Sequence, residues 1–217
     1  YVTKNSYSIL DASFNQGYKK TSDKKTNGSR NHIFARSDID LDLETFDESK
    51  LSINFQKTSN DTYLKVHDIN SKIMKSNTMM NSSIVMNFSK DNSNLDINMD
   101  VYENLGVTDE RYEFVAPNYN YRNKLSISEE LGTLNLRSRG YYKNYETNKK
   151  QTKLINDFHW KSNDYISNFG SITKFEGNLK NSNYRSKNNT FDHKDDKNNI
   201  EFAGAVSLLS SLPLEKR

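Results

Sequence analysis

The sequence predicts an all-β fold: about ten antiparallel strands in a meander, forming a curved open sheet. Three observations predict it. Apolar residues recur at every second position in one segment after another. The links between those segments alternate between short and long. No apolar run approaches the roughly 18–20 residues of a membrane-crossing helix, yet aromatic residues make up 12% of the chain, more than a disordered chain carries.

The clearest element is 31–44. Ile33, Ala35, Ser37, Ile39, Leu41 and Leu43 fall on one side, and Phe34, Arg36, Asp38, Asp40 and Asp42 on the other. Successive strand side chains point to opposite faces, so a strand sorts these residues and a helix scatters the aspartates around its axis. The pattern recurs. Leu51, Ile53 and Phe55 oppose Ser52, Asn54 and Gln56; Met80, Ile84, Met86 and Phe88 oppose Asn81, Ser83 and Asn87. Leu95, Ile97, Met99 and Val101 oppose Asn94, Asp96, Asn98 and Asp100, and Leu134 and Leu136 oppose Asn135, Arg137 and Arg139. Tyr165, Phe169, Phe175 and Leu179 oppose Asn168, Lys174, Glu176 and Asn178, and Ile200, Phe202, Val206 and Leu208 form a last apolar face. The segments 112–121 and 152–161 alternate less cleanly and are also read as strands. The expected strands are 6–18, 31–44, 50–57, 77–89, 94–104, 111–122, 132–145, 152–161, 165–180 and 200–212.

Composition argues against a conventional soluble core. The hydrophobic fraction is 33%, the charged fraction 27% and the mean hydropathy −0.94, whereas soluble domains are about 45–50% apolar. With only 2 Pro and 8 Gly the chain does not read as a linker either. The net charge of +3 is spread without blocks of one sign and points to no partner. The absence of Cys excludes disulfides and thiolate metal sites within this stretch. YVTKNSYSIL lacks the apolar core of a signal peptide, and the chain is expected to be a piece of a longer protein.

A sparse apolar face opposite a face of charges and amides fits a barrel with lipid outside and water inside. The links fit too. The short links 45–49, 90–93 and 162–164 alternate with the long polar links 19–30, 58–76 and 181–199, and 146–151 is intermediate; outer-membrane barrels have short periplasmic turns and longer extracellular loops. The whole of 1–217 is therefore expected to be part of a single transmembrane β-barrel domain, an antiparallel outer-membrane β-barrel segment. Arg36, Asp38, Asp40, Asp42, Asp96, Asn98, Asp100, Arg137, Arg139, Lys174 and Glu176 are expected toward the lumen. Ile39, Leu41, Leu43, Ile84, Met86, Phe88, Leu95, Ile97, Met99, Val101, Leu134 and Leu136 are expected toward lipid. Competing readings are another porin or receptor barrel and a soluble all-β surface adhesin.

Nothing in the sequence resembles an active site. His32, His67, His159 and His193 are isolated and form no metal spacing. The D-x-D-x-D run at 38–42 has no Gly for the sharp turn of a calcium loop. DNSNLD at 91–96 falls where a tight turn favours those residues anyway. The interleaved tyrosines and lysines of YYKNYETNKK at 141–150 are read as an interfacial cluster rather than a nucleic-acid surface. Neither a G-x-S-x-G elbow nor a phosphate-binding Gly loop is present. The expectation is no catalysis, no cofactor, no metal and no nucleic acid.

Several segments, in order, resemble the LptD family of lipopolysaccharide-assembly proteins: TSNDTYL at 58–64, RYEFVAPNYNY at 111–121, GTLNLRSRGYYKNYETNKKQTKLINDFHWKS at 132–162 and SLPLEKR at 211–217. The resemblance implies a barrel of the Gram-negative cell outer membrane that inserts lipopolysaccharide into the outer leaflet. It implies as partners lipopolysaccharide, an LptE-type lipoprotein plug, outer-membrane lipid, and a periplasmic Lpt bridge reached through an N-terminal jelly roll outside this chain. The family's lateral gate uses its first and last strands and its cysteines lie toward its ends, so this chain is expected to supply wall rather than gate.

Overall fold

A computed structural model describes residues 5–15, 30–146, 148–188 and 198–213. They form one antiparallel sheet of eleven strands. The strands are β1 (Ser6–Asn15), β2 (Arg30–Asp40), β3 (Glu48–Thr58), β4 (Met79–Lys90), β5 (Ser93–Asn104), β6 (Tyr112–Ser128), β7 (Gly132–Tyr145), β8 (Lys150–Lys161), β9 (Tyr165–Ile166), β10 (Ile172–Lys187) and β11 (Asn199–Ser211). The order follows the chain from β1 to β8, then β10 and β11, with β9 paired only to β10. The sheet is open, with β1 at one edge and β11 at the other. Among the described residues the single helix is α1, the four-residue Tyr63–Val66. Among the described residues no helix is long and apolar enough to cross a membrane.

Directly paired residues of an antiparallel sheet share a face. The pairs Ile39↔Leu51, Leu51↔Met86, Met86↔Ile97, Ile97↔Tyr119 and Leu136↔Phe158 carry one apolar face across the sheet. Asp38↔Ser52, Asn87↔Asp96, Asp96↔Asn120, Asn120↔Arg139 and Arg137↔Asp157 carry the polar one. The noisy alternation of 112–121 has a definite cause. Three residue steps on β6, from Val115 to Asn118, oppose two on each neighbouring strand. This bulge contains Ala116 and Pro117 and takes up one extra residue, which inverts the phase. Phe114 before it and Tyr119 and Tyr121 after it therefore share the apolar face. Pro117 is tolerated there because a bulge relieves it of a ladder hydrogen bond.

Several expected boundaries are corrected. The strand expected at 31–44 stops at Asp40: Asp42 has φ 49° in the turn, so Leu41, Asp42 and Leu43 leave the alternation. The single strand expected at 165–180 is two, because Gly170 (φ 84°) turns the chain between β9 and β10. The link 162–171 is correspondingly longer than expected. β6 runs on to Ser128, and β10 continues to Lys187 through residues expected to be a loop. Residues 16–18, the link 19–29, His193 within 189–197, and 214–217 lie outside the described residues.

The remaining links keep the expected rims. Residues 59–78, 105–111, 146, 148 and 149 lie at one end of the strands, and 41–47, 91–92 and 129–131 at the other. At that short-link rim Gly132 (φ 76°) lies so close to β8 that an added Cβ would stand 2.2 Å from the Lys161 carbonyl oxygen.

Candidate functional site

The candidate site is the polar face with the segment folded onto it. Its charges are neutralised locally rather than massed. Arg36 donates to Asp38 at 2.9 Å. Asn87 and Asn120 donate to Asp96 at 2.9 and 3.2 Å, and Arg122 stands 3.7 Å from the same carboxylate. Arg137 donates to Asn120 at 3.3 Å, and Arg139 lies 3.8 Å from Asp157. Lys174 meets Asp164 at 2.7 Å, and Lys161 meets Glu176 at 3.6 Å. Asn98 and Asp100 lie on the same face, next to Val85 and Ser83 of β4. Asn54, Asn81 and Asn98 each bury a side-chain carbonyl that has no protein partner. Such atoms are tolerable beside water and costly in an apolar layer. The arrangement is a polar, charge-balanced face.

Of the residues predicted for the polar face, all but Asp42 are brought to it. Asp42 sits in the β2–β3 turn and accepts a hydrogen bond from Asn5. Ile39, Ile84, Met86, Phe88, Leu95, Ile97, Met99, Val101, Leu134 and Leu136 share the opposite face. Leu41 and Leu43 lie in the turn instead. The polar face also holds Ile155, buried, and the apolar face holds Asn156; this exchange is why 152–161 alternated poorly.

The polar link expected at 58–76 spans 59–78 and is docked. Tyr63 and Leu64 of α1 and Ile73 form a buried cluster with Phe34, Met80 and Leu105, and Ile9, Ile69 and Met74 pack against it. Buried His32 lies 3.3 Å from the Tyr63 hydroxyl through Nδ1 and 3.2 Å from Asp11 through Nε2. Gln56 donates to the Ile73 carbonyl at 3.1 Å and accepts from the Asn81 amide at 3.1 Å. These contacts tie the segment across β1, β2, β3 and β4. The sequence carried one usable signal: six apolar residues (Tyr63, Leu64, Val66, Ile69, Ile73, Met74) in a link otherwise polar.

A second clasp lies at the long-link rim. Arg111 donates to both oxygens of Asp61, at 3.1 and 2.6 Å, and to Glu103 at 3.0 and 2.8 Å. Glu103, only 6% exposed at its side chain, also accepts from Lys57 at 2.8 Å and Tyr112 at 2.9 Å. Two-pronged guanidinium–carboxylate contact is among the stronger polar interactions because both donors are aligned and charged. The Arg111 guanidinium holds the Asp61 carboxyl below its ordinary range, and Asp61 and Glu103 raise Arg111 further above its own.

Among the described residues no group of three His, Asp or Glu side chains is placed to hold a metal ion. The Asp11–His32–Tyr63 chain lies beneath α1, where its geometry positions the segment. Neither a protein-family model nor a curated protein matches the chain.

Proposed function

We propose that the chain is wall from a transmembrane β-barrel of the Gram-negative outer membrane, and that the whole protein inserts lipopolysaccharide into the outer leaflet without catalysis. The observation that carries the barrel reading is the constancy of the two faces. One apolar and one polar face persist across ten strands, through a phase-inverting bulge, and among the described residues no layer packs on the apolar face: Phe55, Met99, Phe158 and Leu179 are all exposed. A sheet in water hides such a face, whereas a barrel wall presents it to lipid. Open edges are costly in lipid, so β1 and β11 are read as joining further strands that close the barrel.

The lipopolysaccharide reading rests on the ordered likeness to the LptD family. On it, the partners are lipopolysaccharide, an LptE-type plug against the polar face, and a periplasmic Lpt bridge reached through a preceding domain. Depletion of the full-length protein tests it: lipopolysaccharide should be lost from the cell surface and accumulate behind the outer membrane. Normal surface lipopolysaccharide would refute transport, and recovery of the full-length protein from membranes without detergent would refute the barrel.

One observation favours a second reading, a porin or receptor barrel. The docked segment 59–78 lies against the polar face, where a constricting loop would sit. Solute flux through the reconstituted full-length protein, increased when the segment is undocked, would support that reading.

A further inference from the structure

Near the β11 edge the apolar face is not uniform. On β8, β10 and β11 it carries a groove of about 430 Å³ walled by Phe158, Trp160, Leu179 and Val206. Glycine makes its floor. Gly177 pairs with Trp160 and Val206, and Gly204 pairs with Leu179. A Cβ on Gly177 would approach the Trp160 ring to 3.3 Å, and the groove would be partly filled.

Toward the long-link rim the same face holds a second hollow of about 330 Å³, lined by Leu154, Asn183, Arg185 and Ile200 among others. Beside it stand three cations. Arg185 pairs with Thr152, and Lys150 pairs directly with Lys187. All three side chains are on the apolar face, and Arg185, Lys150 and Lys187 are exposed. Among the described residues none is ion-paired with a carboxylate. Like charges opposite each other across a strand pair repel; an anion lying between them reverses the sign.

The spacing matches one leaflet. Arg185 and Leu179 are six residues apart on β10, which at about 3.4 Å per residue is ~20 Å along the strand. A strand tilted by about 40° projects this to ~15 Å, half of a hydrocarbon core about 30 Å thick. Between the two levels a polar ladder interrupts the face: Ser138 donates to Asn156 at 2.8 Å, and Asn156 and Asn183 both donate to Asn181, at 3.3 and 2.7 Å.

We infer that this track is a fixed docking site for one lipid A-type glycolipid, its phosphate held by Arg185, Lys187 and Lys150 and one acyl chain running down to the Gly204 hollow. Charge complementarity selects a phosphate-bearing headgroup. The side-chain carbonyl oxygen of Asn183, whose amine donates to Asn181, selects lipid A over a phospholipid, because lipid A's amide-linked, hydroxylated chains carry hydrogen-bond donors below the headgroup and a phospholipid's ester-linked chains do not. The inference rests on the outer-membrane reading above, which puts the long-link rim in the outer leaflet.

The test uses the full-length protein reconstituted into bilayer discs of phosphatidylcholine, with bis-phosphorylated lipid A, monophosphoryl lipid A or phosphatidylglycerol added as probe. Retained lipid is counted by native mass spectrometry. Wild type is expected to retain one bis-phosphorylated lipid A in preference to the other two. The triple variant K150Q/R185Q/K187Q should bind it about a hundredfold more weakly, at roughly fivefold per cation. Gly204→Val should also weaken it, since its Cβ meets neighbours only at ordinary distances of 3.5 Å and beyond and the side chain fills the hollow. K180Q, on the opposite face, should not. Folding is checked by the heat-dependent gel mobility of the barrel; if Gly204→Val fails that check, the triple variant decides. Equal retention by wild type and the triple variant would overturn the inference. So would phosphatidylglycerol retained as well as lipid A, or protection of this face by a protein instead of lipid. Depletion that spares surface lipopolysaccharide, with selective lipid A retention intact, would remove the transport reading and leave this site standing.

Discussion

Leu64→Ala separates the docked segment from the sheet. Leu64 is 1% exposed in the cluster with Phe34, Tyr63 and Met80, yet it belongs to α1 and to no strand. Removing a buried Leu side chain costs about 3 kcal/mol, within the range of roughly 2.7–5 measured where the site relaxes little. At about 1.4 kcal/mol per power of ten, the ratio of docked to undocked segment falls roughly a hundredfold. No ladder hydrogen bond is lost, so the strands should keep their protection. The assay is limited trypsin digestion of the full-length protein in its membrane. Lys65, Lys72 and Lys75 are exposed residues of the segment, and cleavage there should rise in proportion to the undocked population when opening is fast. Leu64→Met, which conserves volume, should stay within about 1.5 kcal/mol of wild type. Unchanged cleavage in Leu64→Ala would refute the claim that this cluster holds the segment. Simultaneous loss of hydrogen-exchange protection in β3 and β4 would show instead that segment and sheet open as one unit.

Three further outcomes are expected. Met99→Arg, on the apolar face, should destabilise the protein in lipid vesicles by about 2–4 kcal/mol near the bilayer midplane, while Asn98→Arg on the polar face should cost well under that; equal urea midpoints for the two would refute the lipid assignment. Acid should release the segment at the Asp61–Arg111 clasp: the folded-state pKa of Asp61 is lowered, so its stabilisation is full above the unfolded value of about 3.9 and disappears as pH falls through the lower folded value. Trypsin is inactive there, so pepsin cleavage of the segment is the readout, and its rise on acidification should be absent in Asp61→Asn. Gly132→Ala should cost more than the roughly 1–2 kcal/mol of a left-handed residue, because its Cβ would also collide with the Lys161 carbonyl; a denaturation midpoint equal to wild type would contradict the turn geometry.

The alternation carried the strands and their faces because each depends only on neighbours in sequence. Asp38, Asp96, Asp100 and Arg137 share a side because a strand places every second residue there, whatever lies across from it. The same rule failed where backbone geometry intervened. Asp42 and Gly170 turn the chain at positive φ inside runs that otherwise alternate. The bulge at Ala116 and Pro117 inverts the phase of β6, so Phe114 and Tyr119 share a face, opposite Val101 and Ile97 of β5, although their spacing in sequence sets them on opposite sides.

By itself, then, the sequence determined an all-β meander with one polar and one largely apolar face, since a period of two is a local property of the chain. Only the tertiary structure decided that the 59–78 link lies on the polar face, that Arg111 joins Asp61 to Glu103 across 50 residues and 8 residues of chain, and that Gly177 and Gly204 fall together beneath Trp160 and Val206. Those are encounters between distant residues, and their partners are fixed by strand register, which no local pattern encodes.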